Sequence, residues 1–90
     1  MRFTWDQNKA ARNVAKHRVS FEEAASAFDD PLYLDFFDPE HSEDECRYLR
    51  VGLSQLGRLL VIAYTERSES VRLISARKAT RQERMLYEEH

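Results

Sequence analysis

The sequence predicts a small α+β domain, an antiparallel sheet of four to five strands packed with three helices in the order β-α-α-β-β-β-β-α. Two helix signals occupy the first half of the chain, strand signals at hairpin spacing follow them, and a helix start follows the last strand. The short connections leave no room for a crossover between successive parallel strands, so we expect an antiparallel meander. With 90 residues, the chain is expected to form one domain over residues 1–90.

The first half of the chain is expected to contain one short strand and two helices. Phe3–Trp5 is the strand candidate, and Asp6 is placed to N-cap a helix that runs to about Lys16. The expected apolar stripe of this helix is Ala10, Ala11, Val14 and Ala15. Ser20-Phe21-Glu22-Glu23 has the capping-box pattern and predicts a second helix start. Asp29-Asp30-Pro31 ends that helix, since a residue before proline avoids the helical region.

The second half is expected to supply four strands and a final helix. The strand candidates are Leu32–Phe37, Cys46–Gln55, Leu59–Thr65 and Ser70–Ser75. The acidic stretch Glu40–Glu45 is expected to form an exposed loop, and Glu66–Glu69 a polar turn. Thr80-Arg81-Gln82-Glu83 is a second capping box, which predicts a helix to near Glu88.

Composition excludes several protein classes. The 42% apolar content and 33% charged content, mixed in sign, indicate a folded domain rather than a disordered chain. The longest apolar run, Leu59–Tyr64, is far shorter than the roughly 20 residues of a membrane span. Cys46 is the only cysteine, which fits a reducing compartment, and no secretory signal is recognisable at the start. We therefore expect a cytoplasmic protein without membrane contact.

The net charge of −2 conceals an uneven distribution along the chain. Residues 1–20 hold five bases and one acid, residues 21–57 hold ten acids and two arginines, and residues 58–90 hold seven bases and five acids. A pI near 5.9 argues against non-specific coating of nucleic acid. Two basic segments that meet in the fold would still form a local phosphate site. The alternative explanation of the uneven distribution is that surface charges segregate by chance.

Common catalytic devices are missing from the sequence. One cysteine and three separated histidines show no zinc spacing, and no glycine-rich phosphate loop is present. Asp29-Asp30 is better explained by helix termination than by metal binding. We expect neither a metal site nor a cofactor.

Cations gather where the last strands precede the final helix: Arg67, Arg72, Arg77, Lys78 and Arg81. Basic residues at a helix start are unfavourable toward the helix dipole, so their presence there indicates that an anion binds at this place. We therefore predict that Arg67, Arg77, Lys78 and Arg81 converge on one phosphate. Such a site supports metal-independent RNA cleavage, in which a base takes the 2′-hydroxyl proton and cations stabilise the phosphorane. His17 and Glu66 are the candidate proton-transfer groups. The alternative interpretations are structural. His17 would then stabilise the C-terminus of the first helix, and Glu66 would pair with Arg67 in a turn.

Several blocks of the chain occur in the order found in one toxin family. They are Phe3–Asp6, Lys16–Ala24, Asp30-Pro31, Tyr64–Arg67 and the long block Val71–Arg84, with Glu43–Leu53 also similar. These blocks resemble the BrnT family of bacterial toxins over nearly the whole chain. The resemblance implies a RelE-like ribonuclease that arrests translation, a BrnA-type antitoxin with a ribbon-helix-helix module, and contact with operator DNA only through that antitoxin. It also implies a functional region at Lys9, His17, Glu66, Arg67, Arg77, Lys78 and Arg81.

Catalytic roles are therefore expected for His17, Glu66, Arg67, Arg77 and Lys78, and RNA binding for Lys9, Arg72 and Arg81. One departure concerns Arg18, which stands where the family usually has glycine. A left-handed residue there costs about 1 kcal/mol or more, or else the helix ends differently. A non-catalytic corepressor that only docks the antitoxin is the main alternative function. A direct nucleic-acid binder is disfavoured by the net acidity.

Overall fold

The computed structural model describes all 90 residues, which form five strands and three α-helices. The elements are β1 (Arg2–Thr4), α1 (Gln7–His17), α2 (Phe21–Ser26), β2 (Leu34–Asp38), β3 (Arg47–Leu53), β4 (Leu59–Arg67), β5 (Ser70–Lys78) and α3 (Arg81–Glu89). Short 3-10 turns follow α2 at Ala27–Asp29 and β2 at Pro39–His41. The predicted α+β class and element order are confirmed. None of the three helices has the length and apolar character that a membrane span requires.

The five strands form one sheet in the order β1-β5-β4-β3-β2. Strands β2 to β5 make the predicted antiparallel meander. Strand β1 pairs with β5 in parallel, from Arg2 opposite Ser70 to Thr4 opposite Arg72, so the sheet is mixed rather than wholly antiparallel. The need for a long crossover within a short connection arises only for parallel strands that follow each other in sequence. It places no limit on β1 and β5, which lie at opposite ends of the chain.

Strands β4 and β5 extend further than predicted. β4 runs to Arg67 and β5 to Lys78, so the turn between them contains only residues 68 and 69. Arg67 pairs with Ser70 and Lys78 pairs with Leu60, because polar residues continue the ladder without burying their side chains. The predicted turn and loop residues near these ends are therefore strand residues, and their side chains alternate between faces.

The sheet has an apolar cluster on each face. The face toward α2 carries the larger cluster, whose bulkiest fully buried members are Tyr64, Phe21, Leu60, Ile62 and Leu73. The opposite face carries Val51, Leu59 and Val61, against which Tyr87 of α3 packs. We name these the α2 face and the α3 face. The helices are thus divided between the two sides of the sheet.

Helix α1 buries an amide, and of the predicted apolar stripe only Ala10 packs against the core. Asn13 is 6% exposed, whereas Val14 is 44% exposed. The Asn13 amide donates to the Val19 and Ala76 carbonyls at 2.9 and 2.8 Å, and its oxygen accepts the Ala76 N–H at 3.1 Å. Strand β1 pairs only with residues 70–72 of β5. The backbone N–H and C=O groups along the rest of that edge therefore need other hydrogen-bond partners. Asn13 supplies them at Ala76.

The two predicted capping boxes form to different extents. At α3, the Thr80 hydroxyl accepts the Glu83 N–H at 3.2 Å, and the Glu83 carboxylate accepts the Thr80 N–H at 2.8 Å. At α2, Ser20 accepts the Glu23 N–H at 3.0 Å. The Glu23 carboxylate does not reach back, because it is turned inward to Arg58 and Ser54. The second half of the Ser20 box is therefore a wrong prediction.

Helix α1 ends in the left-handed conformation despite its non-glycine residue. Arg18 has φ 60° and ψ 32°, and its N–H donates to the Val14 carbonyl at 2.9 Å. The helix end therefore has the geometry that glycine would give, at a conformational cost of about 1 kcal/mol. His17 is consequently the last residue of a helix that ends in a regular left-handed cap.

Candidate functional site

One polar residue from each strand falls in a single row across the sheet. The pairing aligns Thr4, Arg72, Thr65, Arg47 and Asp38 in that order. Residues opposite one another in a ladder point to the same face. Along β4, Thr65 follows Val61 and Ala63 at the two-residue period, which places the row on the α3 face, beyond the small apolar cluster.

A cleft of about 500 Å³ lies over this row. Arg47, Thr65 and Arg72 line it from the strands, and Arg67 lines it from the end of β4. Lys9 reaches it from the start of α1, and the acidic segment of residues 40–45 provides the opposite wall. Only one of the 11 lining residues, Ile74, is apolar, so the cleft suits a polar or charged ligand. Four cations face a wall of carboxylates across it.

Two buried polar atoms that belong to cleft-lining residues have no hydrogen-bond partner within the protein. They are Nε of Arg47 and Oγ1 of Thr65, and the Thr65 residue is only 4% exposed. Buried polar groups in folded proteins are almost always hydrogen-bonded. An arginine Nε–H and a threonine hydroxyl both donate to anionic oxygens. Two residues that line the cleft therefore have donor capacity that the protein itself leaves unused.

The acidic wall engages one of the cations. Arg67 Nε and Nη2 donate to the two Glu45 carboxylate oxygens, each at 3.0 Å. This contact lowers the pKa of Glu45 below its ordinary value. The fork geometry is the one in which arginine binds phosphate as well as carboxylate. Arg72 has no ion pair or side-chain hydrogen bond, so its guanidinium is available to an incoming anion.

Three of the predicted site residues meet in this cleft: Lys9, Arg67 and Arg72. Three others that line it, His41, Arg47 and Thr65, were not predicted. The period-2 pattern of β3 and β4 carried a signal for Arg47 and Thr65, since each is a polar residue on a strand with an otherwise apolar face. For His41, the only signal was its spacing from Asp38 within a turn.

The predicted convergence of Arg67, Arg77, Lys78 and Arg81 is wrong. Arg77 and Lys78 are consecutive in β5 and therefore point to opposite faces. Arg77 lies on the α3 face, where it donates to Glu83 at 2.7 and 2.9 Å, whereas Lys78 pairs with Leu60 and approaches Glu23 on the α2 face. Arg81 is exposed in the first turn of α3 and does not line the cleft. The four cations are dispersed because strand β5 continues through residues 77 and 78.

Arg77 has a structural partner instead of a free guanidinium. Its hydrogen bonds lower the pKa of Glu83 to about 2, with the Thr80 backbone contributing. Glu83 is also the reach-back residue of the Thr80 capping box. Arg77 therefore fixes the start of α3 to the sheet.

The two predicted proton-transfer residues also lie outside the cleft. His17 is at the far end of α1, eight residues and about 12 Å of helix from Lys9. Glu66 lies between Thr65 and Arg67 on β4, so its side chain points to the α2 face. Their catalytic roles remain predictions that this cleft does not support. No three His, Cys, Asp or Glu side chains are grouped so that they could hold a metal ion.

Comparison with known proteins agrees with this fold. The sequence profile described as "Ribonuclease toxin, BrnT, of type II toxin-antitoxin system" matches residues 5–83. The chain belongs to the BrnT family. The resemblance in the sequence blocks is thus confirmed, and the family is one of ribonuclease toxins of type II toxin–antitoxin systems.

A solved structure supports the fold assignment. The chain is similar to the 1.1 Å crystal structure of the Brucella abortus ribonuclease toxin BrnT, with a TM-score of 0.65 and 21% sequence identity. The match covers 90% of this chain and 99% of that one. No curated protein sequence matches the chain. At this identity, the structural match establishes the shared BrnT fold.

Proposed function

We propose that this BrnT chain cleaves RNA without a metal ion in the cleft over the cross-strand row. The observation that carries the proposal is the pair of buried, unpartnered donors on Arg47 and Thr65, in a cleft that three more cations line. A polar ligand with several acceptor oxygens satisfies such donors. The ribonuclease description of the family supports the phosphate of RNA as this ligand.

The proposed chemistry is attack of a 2′-hydroxyl on the adjacent phosphate. Neighbouring strands lie about 4.8 Å apart, so Arg47 and Arg72, on either side of Thr65, have backbones separated by about 10 Å. Two arginine side chains can close on one phosphate from that distance. Lys9 and Arg67 add positive charge at the rim of the cleft. Cations fixed before the reaction stabilise the additional charge of the phosphorane without reorganisation.

A protein antitoxin is the proposed regulator of this site. A type II toxin family implies such a partner. We infer a BrnA-type antitoxin with a ribbon-helix-helix module, which neutralises the toxin and contacts operator DNA on behalf of the complex. Cleavage of RNA engaged in translation, in the cytoplasm, would then arrest growth when the antitoxin is absent.

Incubation of the purified protein with end-labelled RNA tests the proposal. We expect cleavage that persists in excess chelator and yields 2′,3′-cyclic phosphate and 5′-hydroxyl ends. Addition of the antitoxin should stop it. Intact RNA, together with an antitoxin complex that binds operator DNA more tightly than the antitoxin alone, would support the corepressor alternative instead. Cleavage abolished by chelator would refute the metal-independent chemistry.

A further inference from the structure

The acidic wall of the cleft contains a histidine paired with a partly buried carboxylate. His41 lines the cleft and ends the turn Pro39–His41, and its Nδ1 lies 3.0 Å from Oδ2 of Asp38. We propose that Asp38 and His41 form a dyad in which His41 accepts the 2′-hydroxyl proton. This inference rests on the proposed RNA cleavage and names its general base.

The geometry of the pair leaves the reactive nitrogen of His41 free. An ionised carboxylate only accepts hydrogen bonds, so the proton of the neutral imidazole resides on Nδ1, facing Asp38. Nε2 then carries the lone pair that a general base requires. The Asp38 side chain is 15% exposed and that of His41 is 57% exposed, so the carboxylate is held within the fold while the ring remains open to the cleft.

The turn that carries His41 is fixed to the sheet at both ends. The Ser42 hydroxyl donates to the Asp38 carbonyl and accepts the Arg47 N–H at 2.9 Å. Asp38 also stands opposite Arg47 in the β2–β3 ladder, beside Thr65. The dyad therefore extends the same cross-strand row that supplies the phosphate-binding donors. A base at one end of that row is placed next to the phosphate that the row would hold.

Other bases near the cleft suit the step less well. An ionised carboxylate is a weak base toward a hydroxyl at neutral pH, which disfavours the acidic residues of the wall. Glu45 is moreover engaged by Arg67. His17 and Glu66 do not line the cleft. Histidine combines a suitable basicity with a free nitrogen at this position.

The proposed step balances with water as the only additional reactant. The 2′-oxygen forms a bond to phosphorus as its proton passes to Nε2 of His41, and the bond between phosphorus and the 5′-oxygen breaks. The 5′-oxygen leaves with the bonding electron pair and takes a proton from water. The imidazolium then returns its proton to the resulting hydroxide. The products are a 2′,3′-cyclic phosphate and a 5′-hydroxyl.

Substitution of His41 tests the assignment directly. His41→Gln should lower kcat for RNA cleavage by about 10²- to 10⁴-fold, the usual contribution of a positioned base. Its affinity for an oligonucleotide with 2′-deoxy sugar at the scissile position should stay within about twofold, since the role concerns proton transfer. Asp38→Asn should lower kcat by a smaller factor. His90→Gln, a change of an exposed histidine outside the cleft, should leave kcat unchanged.

The pH profile separates a base from a structural residue. Wild-type kcat should fall at low pH, where protonation of the base removes its lone pair, and His41→Gln should lose this limb. The charged groups that line the cleft together with His41 are Lys9, Glu40, Glu43, Asp44, Glu45, Arg47, Arg67 and Arg72. All of these groups remain in His41→Gln, so a limb that one of them causes should persist in that variant.

Each outcome distinguishes the dyad from the proposed function. Wild-type cleavage with an unchanged rate and pH limb in His41→Gln would overturn the dyad and leave the ribonuclease proposal intact. No cleavage by the wild type would overturn both. His41→Ala provides a second variant, in which added imidazole should restore cleavage. Absence of rescue in a folded His41→Ala protein would count against the dyad.

Discussion

Replacement of Arg72 by alanine is expected to lower kcat/KM for RNA cleavage by about 10²- to 10³-fold, the cost of removing one preorganised donor at a developing anion. Arg72 stands beside Thr65 in the cross-strand row and has no ion pair that would divert its charge. Its loss should change the free energy of unfolding by less than about 1 kcal/mol, because a partly exposed arginine without a partner contributes little to folding.

Matched variants separate the effect of where this charge lies from the effect of the protein's total charge. Arg84→Ala removes an exposed arginine of α3, outside the cleft, and should leave cleavage unchanged. Arg72→Lys keeps the charge but loses the planar fork, so it should restore only part of the activity. Urea titration of each variant checks the fold. Equal loss of cleavage in Arg72→Ala and Arg84→Ala would show that overall charge, rather than the cleft, governs RNA binding.

Replacement of Glu23 by glutamine is expected to give the largest loss of stability, roughly 2–3 kcal/mol. The Glu23 side chain is 4% exposed. Its carboxylate accepts from Arg58 Nε at 2.9 Å and from the Ser54 hydroxyl at 2.7 Å, and Arg58 also donates to the Arg18 carbonyl at 2.9 Å. The substitution leaves the guanidinium facing an amide. The expected loss is below that for a fully buried pair because 31% of the Arg58 side chain is exposed.

The pH dependence of this contribution has a defined sign. The hydrogen bond from Arg58 lowers the pKa of Glu23 from its ordinary value of 4.5. The stabilisation is therefore fully present above pH 4.5 and is lost as pH falls through the lower folded-state pKa. Glu22→Gln is the matched control, since Glu22 is exposed on the same helix. If urea midpoints of Glu22→Gln and Glu23→Gln coincide at pH 7, the buried pair does not carry this stability.

The fold could be predicted from local patterns because several of them had a single interpretation. Period-2 alternation identified β3 and β5, and Thr80 with Glu83 fixed the start of α3. Helix α1 differs because its inward residue is Asn13, whose role depends on an open edge of β5 that no local pattern reveals. The parallel pairing of β1 with β5 likewise arises from the tertiary arrangement.

The candidate site could be predicted only in part, because strand register decides which side chains meet. Lys9, Arg67 and Arg72 are distant in sequence and line one cleft, whereas the neighbours Arg77 and Lys78 point to opposite faces. Sequence proximity to a helix start made Arg77 resemble an anion ligand, although its partner is the capping residue Glu83 of that same helix. In the sequence, His41 is part of the predicted acidic loop, and its pairing with Asp38 is visible only in the fold.

Backbone amide NMR shifts locate bound nucleic acid on this protein without relying on cleavage. Titration with a 2′-deoxy oligonucleotide that cannot be cleaved should shift the amides of Arg47, Thr65 and Arg72 and of the segment 40–45. It should leave the start of α3 unchanged. Shifts concentrated at Arg77–Arg81, with the cleft residues unmoved, would exclude the cleft and place the nucleic acid at the helix start instead.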